Sequence, residues 1–144
     1  MEIKEIQTKD EKRSIIEKCD CVFDNGLVKR PDYLEKLEKI HTFATFFAAY
    51  AEELVGYAAI YTNDTKSQVA YITMIGIVKD KQGMHIGSRL MEKCIETAKS
   101  NNMHAIRLEV LNNNIRAISF YKHFGFSYET ECSENSSYML KKLS

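Results

Sequence analysis

No stretch of this 144-residue chain stays apolar for anything near the ~20 residues that a membrane-spanning helix needs. The opening Met1-Glu2-Ile3-Lys4-Glu5 carries no apolar signal region, so the expectation is a cytoplasmic protein without a membrane partner. Net charge is absent too. Lys and Arg number 20, Asp and Glu also 20, which leaves no basic field to hold nucleic acid and no acidic tail. Metal-ligand spacing is missing: Cys19, Cys21, Cys94 and Cys132 form no CxxC pair and no zinc-like Cys/His pattern. Cys19 and Cys21 stand too close for an ordinary bridge, so reduced thiols packing as small apolar residues are expected, and no metal. No linker, repeat or low-complexity tract divides the chain, and its length suffices to bury one core without staples. One domain over 1–144 is the reading.

What is present alternates between two periods. Residues 1–6 set Ile3 and Ile6 among charges and suggest a short strand. Thr8 with Glu11 three positions on reads as a capping box opening a helix over 9–19, with Ile15 and Ile16 inward. After a loop over 21–30, Pro31 suits the first turn of a helix over 31–40, with Tyr33, Leu34, Leu37 and Ile40 at helical spacing. Residues 43–51 and 54–62 are aromatic and β-branched around Glu52-Glu53 and read as a hairpin. Phe43, Phe46, Phe47 and Tyr50 of its first strand form an aromatic set expected to pack in the core. A strand over 69–78, a helix over 86–100, a strand over 105–111 and a helix over 115–124 stopped at Gly125 follow. A strand pair over 126–132 and 137–143 closes the chain.

The chain is organised around residues 69–91, VAYITMIGIVKDKQGMHIGSRLM. A β-rich run feeds a charged bend, then Gln82-Gly83-Met84-His85-Ile86-Gly87, and passes directly into a helix. The first amides of such a helix have no intrahelical partner, and with the dipole they favour an anion, above all a phosphate. Gly83 and Gly87 admit close approach of the backbone to a ligand. Gly76, inside the preceding strand, points to a bulge or a close approach there.

These residues resemble the GNAT superfamily of N-acetyltransferases. Gln82-x-x-His85-x-Gly87 stands where that family has Arg/Gln-x-x-Gly-x-Gly/Ala, with His85 in place of the usual glycine. Leu108-Glu109-Val110, Asn114, Arg116-Ala117-Ile118, Tyr121 and Gly125-Phe126 are similar to its second signature, "LxV…N…AI…Y…GF". The resemblance implies an α/β (α+β) fold with a central, mixed, mostly antiparallel sheet of about seven strands flanked by four helices. It implies acetyl-coenzyme A as co-substrate and a primary amine as acceptor, either a small molecule or a protein N-terminus. The coenzyme-binding residues it implies are Ile75, Gly76, Ile77, Gln82, Gly83, Met84, His85, Ile86, Gly87, Ser88, Asn114 and Tyr121. Glu109 and Tyr121 stand at the spacing of ribosomal-protein alanine N-acetyltransferases, which implies Glu109 as base and Tyr121 as acid.

Each role has a plainer alternative. Glu109 fits a solvated strand face, with a chain of waters as the base; Tyr121 fits a core aromatic; Asn114 fits a helix N-cap. A free alkyl amine near ~10 or an α-amine near ~8 must lose a proton before it attacks a thioester, and a carboxylate can take it. A phenol stays protonated at pH 7 and can donate to a departing thiolate. Cys94, on a buried helix face, is a poor nucleophile. If His85 blocks turnover, a non-catalytic coenzyme-sensing module is the alternative. The resemblance implies an acceptor region near 20–40 and 129–138, where Asp20, Asp24, Asp32, Glu131 and Glu134 offer negative charge, and an exposed strand edge offers a surface for a homodimer. His41, His104 and His123 are read as surface or packing residues.

Overall fold

The computed structural model describes residues 1–20, 26–78 and 85–143. Its elements are β1 (Glu2–Glu5), α1 (Lys9–Cys19), α2 (Tyr33–Phe43), β2 (Ala44–Ala51), β3 (Glu53–Tyr61) and β4 (Val69–Ile77), then α3 (Ile86–Ser100), β5 (Ala105–Leu111), α4 (Ile115–His123), β6 (Ser127–Glu131) and β7 (Ser136–Lys142). The seven strands form one sheet in the order β1-β2-β3-β4-β5-β7-β6. Every pairing is antiparallel except β4 with β5.

Period-2 alternation sends side chains to two cores, one on each face of the sheet. Ile86, Leu90, Met91, Cys94 and Ala98 of α3 cover one face against Ala58 and Ile60 of β3, Ala70 and Ile72 of β4, and Ile106, Leu108 and Val110 of β5. On the other face Ile15, Ile16 and Cys19 of α1 and Tyr33, Leu37 and Ile40 of α2 pack on Phe46, Ala48, Tyr57, Ala59 and Tyr61. Each large aliphatic side chain buried this way contributes roughly 1.5–3 kcal/mol. Phe46 stacks on Tyr57 with centroids 5.2 Å apart, while its neighbour Phe47 enters the opposite core.

Three register shifts reset the alternation. In β3, Ala49 faces Gly56 while Tyr50 faces Leu54, so Val55 is an extra residue and turns into the α3 core. In β4, Ala59 faces Met74 while Ile60 faces Ile72, leaving Thr73 as the bulged residue. Before the bulge Ile72 joins the α3 core and Tyr71 the other; after it Ile75 and Ile77 join the α3 core and Met74 the other. The irregularity of this strand therefore lies at Thr73 rather than Gly76. A close approach does occur at Gly76: a Cβ built on Gly56 would stand 2.7 Å from its carbonyl oxygen. In β6 the extra residue is Glu129.

Local chemistry sets the helix ends. The Thr8 hydroxyl accepts from the Glu11 amide at 3.2 Å, the N-cap its sequence suggests, and the Glu11 carboxylate meets that hydroxyl, at 3.1 Å, in place of the Thr8 amide of a full capping box. α3 ends in a left-handed Asn102 (φ 61), with the Asn102 amide on Lys99 O, the Met103 amide on Ala98 O, and Met103 buried. α4 repeats the device. Gly125 at φ 93 lets its amide reach Lys122 O and the Phe126 amide reach Tyr121 O.

Two expectations need correction. Pro31 lies in the turn before α2 rather than in its first turn, because the Tyr33 amide bonds to Arg30 O and Pro31 takes the second position of that turn. At its other end α2 runs on to Phe43, which is helical and 53% exposed instead of opening a strand, and Leu34 is 64% exposed, off the buried stripe.

Candidate active site

β4 and β5 pair over three residues only, from Val69 with Ala105 to Tyr71 with Arg107. Beyond that register β4 continues to Ile77 and β5 to Leu111, so the two parallel strands part in the middle of the sheet. The bulge at Thr73 begins where they separate. Ile75, Gly76 and Ile77 form the β4 side of this opening, and Glu109 stands on the β5 side.

At the end of β4, α3 begins at Ile86 with His85 as its N-cap. His85 is left-handed (φ 61, ψ 14), exposed, and gives no side-chain cap. The left-handed backbone is a physical reason for glycine at this position, and His85 meets the requirement at a cost of roughly 1–2 kcal/mol. The first intrahelical bond runs from the Arg89 amide to His85 O, so the amides of Ile86, Gly87 and Ser88 face the helix start without an intrahelical acceptor. Gly87 is tightly placed: a Cβ there would meet the Phe120 ring at 3.3 Å, which would have to give slightly, and touch Ile77 at an ordinary 3.9 Å. This glycine therefore lets α3 close on α4 and β4. The candidate residues Gln82, Gly83 and Met84 lie outside the described residues.

Tyr121 and Glu109 occupy opposite sides of β5. Tyr121 packs in the α3 core beside Phe120 and Phe126, with centroids 5.6 and 5.9 Å away. Its contact with Phe126 spans the end of α4, which explains the spacing Tyr-x-x-x-Gly-Phe as packing across a helix stop. Burial, with Cys94 nearby, pushes the Tyr121 phenol up to about 12. Burial likewise pushes the Cys94 thiol up to about 12, so it supplies little thiolate. Asn114 caps α4, its Oδ1 accepting from the Ala117 amide at 3.2 Å. Its Nδ2 is not used by that cap.

Glu109 projects to the α1–α2 side, as alternation along β5 requires. Its Oε2 accepts from the Ser136 hydroxyl at 2.6 Å. Ser136 is 1% exposed and lies 2.8 Å from Ser133 Oγ. On the same face Arg107 donates to both carboxylate oxygens of Glu129, at 2.7 and 2.8 Å, and lies over the Tyr138 ring. Tyr71, Arg107, Glu129, Thr130 and Tyr138 line an open cleft of about 400 Å³. Ser136, Tyr71 and the Arg107–Glu129 pair carry no motif. Only the pairing of β5 with β7 brings Ser136 to Glu109, and no local pattern announces that.

Of the acidic residues expected to attract an acceptor, Asp20 is committed to structure. Its carboxylate accepts from the amides of Leu27, at 2.7 Å, and Val28, at 3.3 Å. Asp32 pairs with Arg30, Glu131 and Glu134 are exposed, and Asp24 lies outside the described residues. His104 and His123 are exposed, whereas His41 Nδ1 meets the buried Lys12 at 3.2 Å. Among the described residues no three His, Cys, Asp or Glu side chains gather as metal ligands.

The model of the Acetyltransferase (GNAT) family matches residues 12–126. A probable spermine N(1)-acetyltransferase of Bacillus subtilis subsp. natto is 28% identical over 115 residues, 76% of each chain. The ribosomal-protein-S18-alanine N-acetyltransferase of Escherichia coli superposes with a TM-score of 0.79 at 17% identity, over 99% of this chain and 94% of that one. The PaiA N-acetyltransferase of Thermoplasma acidophilum, in complex with coenzyme A, gives 0.77 at 18% identity, over 99% and 100%.

Proposed function

The chain belongs to the Acetyltransferase (GNAT) family, and from that premise we propose that it transfers the acetyl group of acetyl-coenzyme A to a primary amine by direct attack, both substrates being bound together. One observation carries the reading: the strands part beside the start of α3, with Tyr121 on one side of β5 and Glu109 on the other. Acetyl-coenzyme A supplies an acyl thioester already activated toward amines.

This chain's residues have separate tasks. The backbone amides of Ile86, Gly87 and Ser88 hold the pyrophosphate at the positive end of α3. His85 is exposed, and with its ring turned outward its amide joins this set. Main-chain groups of Ile75, Gly76 and Ile77 align the pantetheine arm, the Nδ2 of Asn114 holds it from α4, and an amide at the opening polarises the thioester carbonyl. Capping and coenzyme binding by Asn114 are compatible.

Glu109 takes the amine proton, directly or through water, from the α1–α2 face of β5. Tyr121 donates toward sulfur from the α3 side. Burial holds the Tyr121 phenol up to about 12, so it stays protonated at neutral pH and gives up its proton reluctantly. Tyr121 therefore acts first as a hydrogen-bond donor and yields its proton only as the amine proton is released. The relatives above are named for spermine and for the alanine of a ribosomal protein. An amine acceptor is common to both, which leaves a polyamine and a protein N-terminus as the two acceptor classes to test.

The test is thermal unfolding with acetyl-coenzyme A, followed by thiol detection over spermine and an alanine-terminated peptide. Coenzyme should raise Tm by mass action, and at least one amine should release thiol with matching amide formation. No thermal shift at millimolar coenzyme, or a shift without thiol release from either amine, would overturn the reading.

A further inference from the structure

Glu109 is charged and exposed, yet among the described residues it makes no ion pair. A cation is close at hand. Arg107 lies two positions earlier on the same face of β5, roughly 7 Å along the strand, within a guanidinium's reach. It is engaged elsewhere, because the extra residue of the β6 bulge is Glu129, which takes Arg107 with both oxygens at 2.7 and 2.8 Å. Glu109 receives a neutral donor instead. The carboxylate only accepts, so the single Ser136 hydrogen goes to Oε2 at 2.6 Å, and Ser133 must be the donor across its 2.8 Å contact with Ser136. The Asn135 amide donates to Ser133 Oγ at 3.3 Å, completing a chain of donors aimed at Glu109.

We propose that Glu129 and Ser136 are positioning residues that keep Glu109 an available base, Glu129 by holding Arg107 away from it and Ser136 by fixing Oε2 so that Oε1 faces the acceptor. The proposal rests on Glu109 being the base. The other ionisable groups that feel Glu109 are Lys36 of α2, Tyr71 of β4 and Tyr138 of β7, with Cys132, between β6 and β7, beside Tyr138. Each is present in every variant below, so differences among them belong to Glu129, Arg107 and Ser136.

Two substitutions should move the acidic limb of the pH–rate profile in opposite directions. Glu129→Gln frees Arg107 to pair with Glu109, which holds the carboxylate ionised and weakens it as a base. The limb should shift to lower pH and kcat/KM for the acceptor should fall about tenfold. Ser136→Ala removes a donor to the anion, so the limb should shift to higher pH, and it frees the carboxylate to turn, so the plateau should fall about tenfold while KM for acetyl-coenzyme A stays fixed. Arg107→Met in the Glu129→Gln background should restore the rate, as should Ser136→Thr for the serine. Ser133→Ala, at an exposed position, tests the same chain without altering a buried side chain and should reproduce a weaker Ser136→Ala. In the free protein the Glu109 ¹³Cδ resonance should move in Glu129→Gln and return in the double variant, whatever the acceptor.

Two failures are distinguishable. If Glu109→Gln leaves the profile unchanged, the base assignment falls and this proposal with it. If Glu109→Gln removes the acidic limb, but Glu129→Gln and Ser136→Ala shift it in the same direction or not at all, the base stands and the positioning roles are overturned. Absence of rescue by Arg107→Met overturns the Glu129 role alone.

Discussion

His85 offers a test that separates backbone from side chain at the start of α3. It holds φ 61 and ψ 14, a conformation whose cost to a residue with a Cβ is roughly 1–2 kcal/mol, and its ring makes no cap that would be lost. His85→Gly relieves that cost but adds conformational freedom to the unfolded chain, which leaves a net gain of about 1 kcal/mol. For a chain of this length that is roughly 3 °C in Tm. The measurement is thermal unfolding of the free protein by calorimetry, with His85→Ala beside it. Alanine retains the Cβ, so its Tm should not rise. Affinity for acetyl-coenzyme A, measured by titration, should change little in His85→Gly or improve modestly, since the amides at the helix start are retained. A Tm that falls in His85→Gly, or rises equally in His85→Ala, would refute the strain argument. A large loss of coenzyme affinity would mean that the imidazole itself binds phosphate.

Other variants address single roles. Tyr121→Phe keeps the ring that packs on Phe120 and Phe126, so fold and coenzyme affinity should persist while kcat falls about 10²-fold; an unchanged kcat where chemistry limits the rate would leave Tyr121 a packing residue. Asn114→Ala removes the cap on the Ala117 amide and should cost about 1 kcal/mol in chemical denaturation; an additional rise in KM for acetyl-coenzyme A separates the pantetheine role from capping, and Asn114→Asp should restore the cap alone.

The helices and strands that carry their own punctuation were legible in the sequence. α3 ends at Ser100 because Asn101-Asn102 builds a left-handed stop, and α4 ends before Gly125 for the same reason. The strand before α3 and the Gly125-Phe126 stop could be placed from residue types alone. Side-chain direction was harder to read where bulges intervene. Val55, Thr73 and Glu129 each reverse the face to which a strand sends its next residues, and apolar runs such as Ile72 to Ile77 look alike in either phase. Gly87 reads as an approach to a ligand, but the structure adds a steric reason, the Phe120 ring behind it. Pairings distant in the chain left no trace. Ser136 reaches Glu109 across 27 residues because β7 inserts between β5 and β6, and neither residue's neighbours signal it.

The pH–rate profile of Glu109→Gln tests the proposed chemistry most directly. With an amine that turns over, the acidic limb seen in the unaltered protein should flatten, and the rate should recover as pH rises toward the amine's own value, ~8 for an α-amine or ~10 for an alkyl amine. There the acceptor loses its proton without help. A Glu109→Gln profile that coincides with that of the unaltered protein would contradict the assignment and leave proton removal to water.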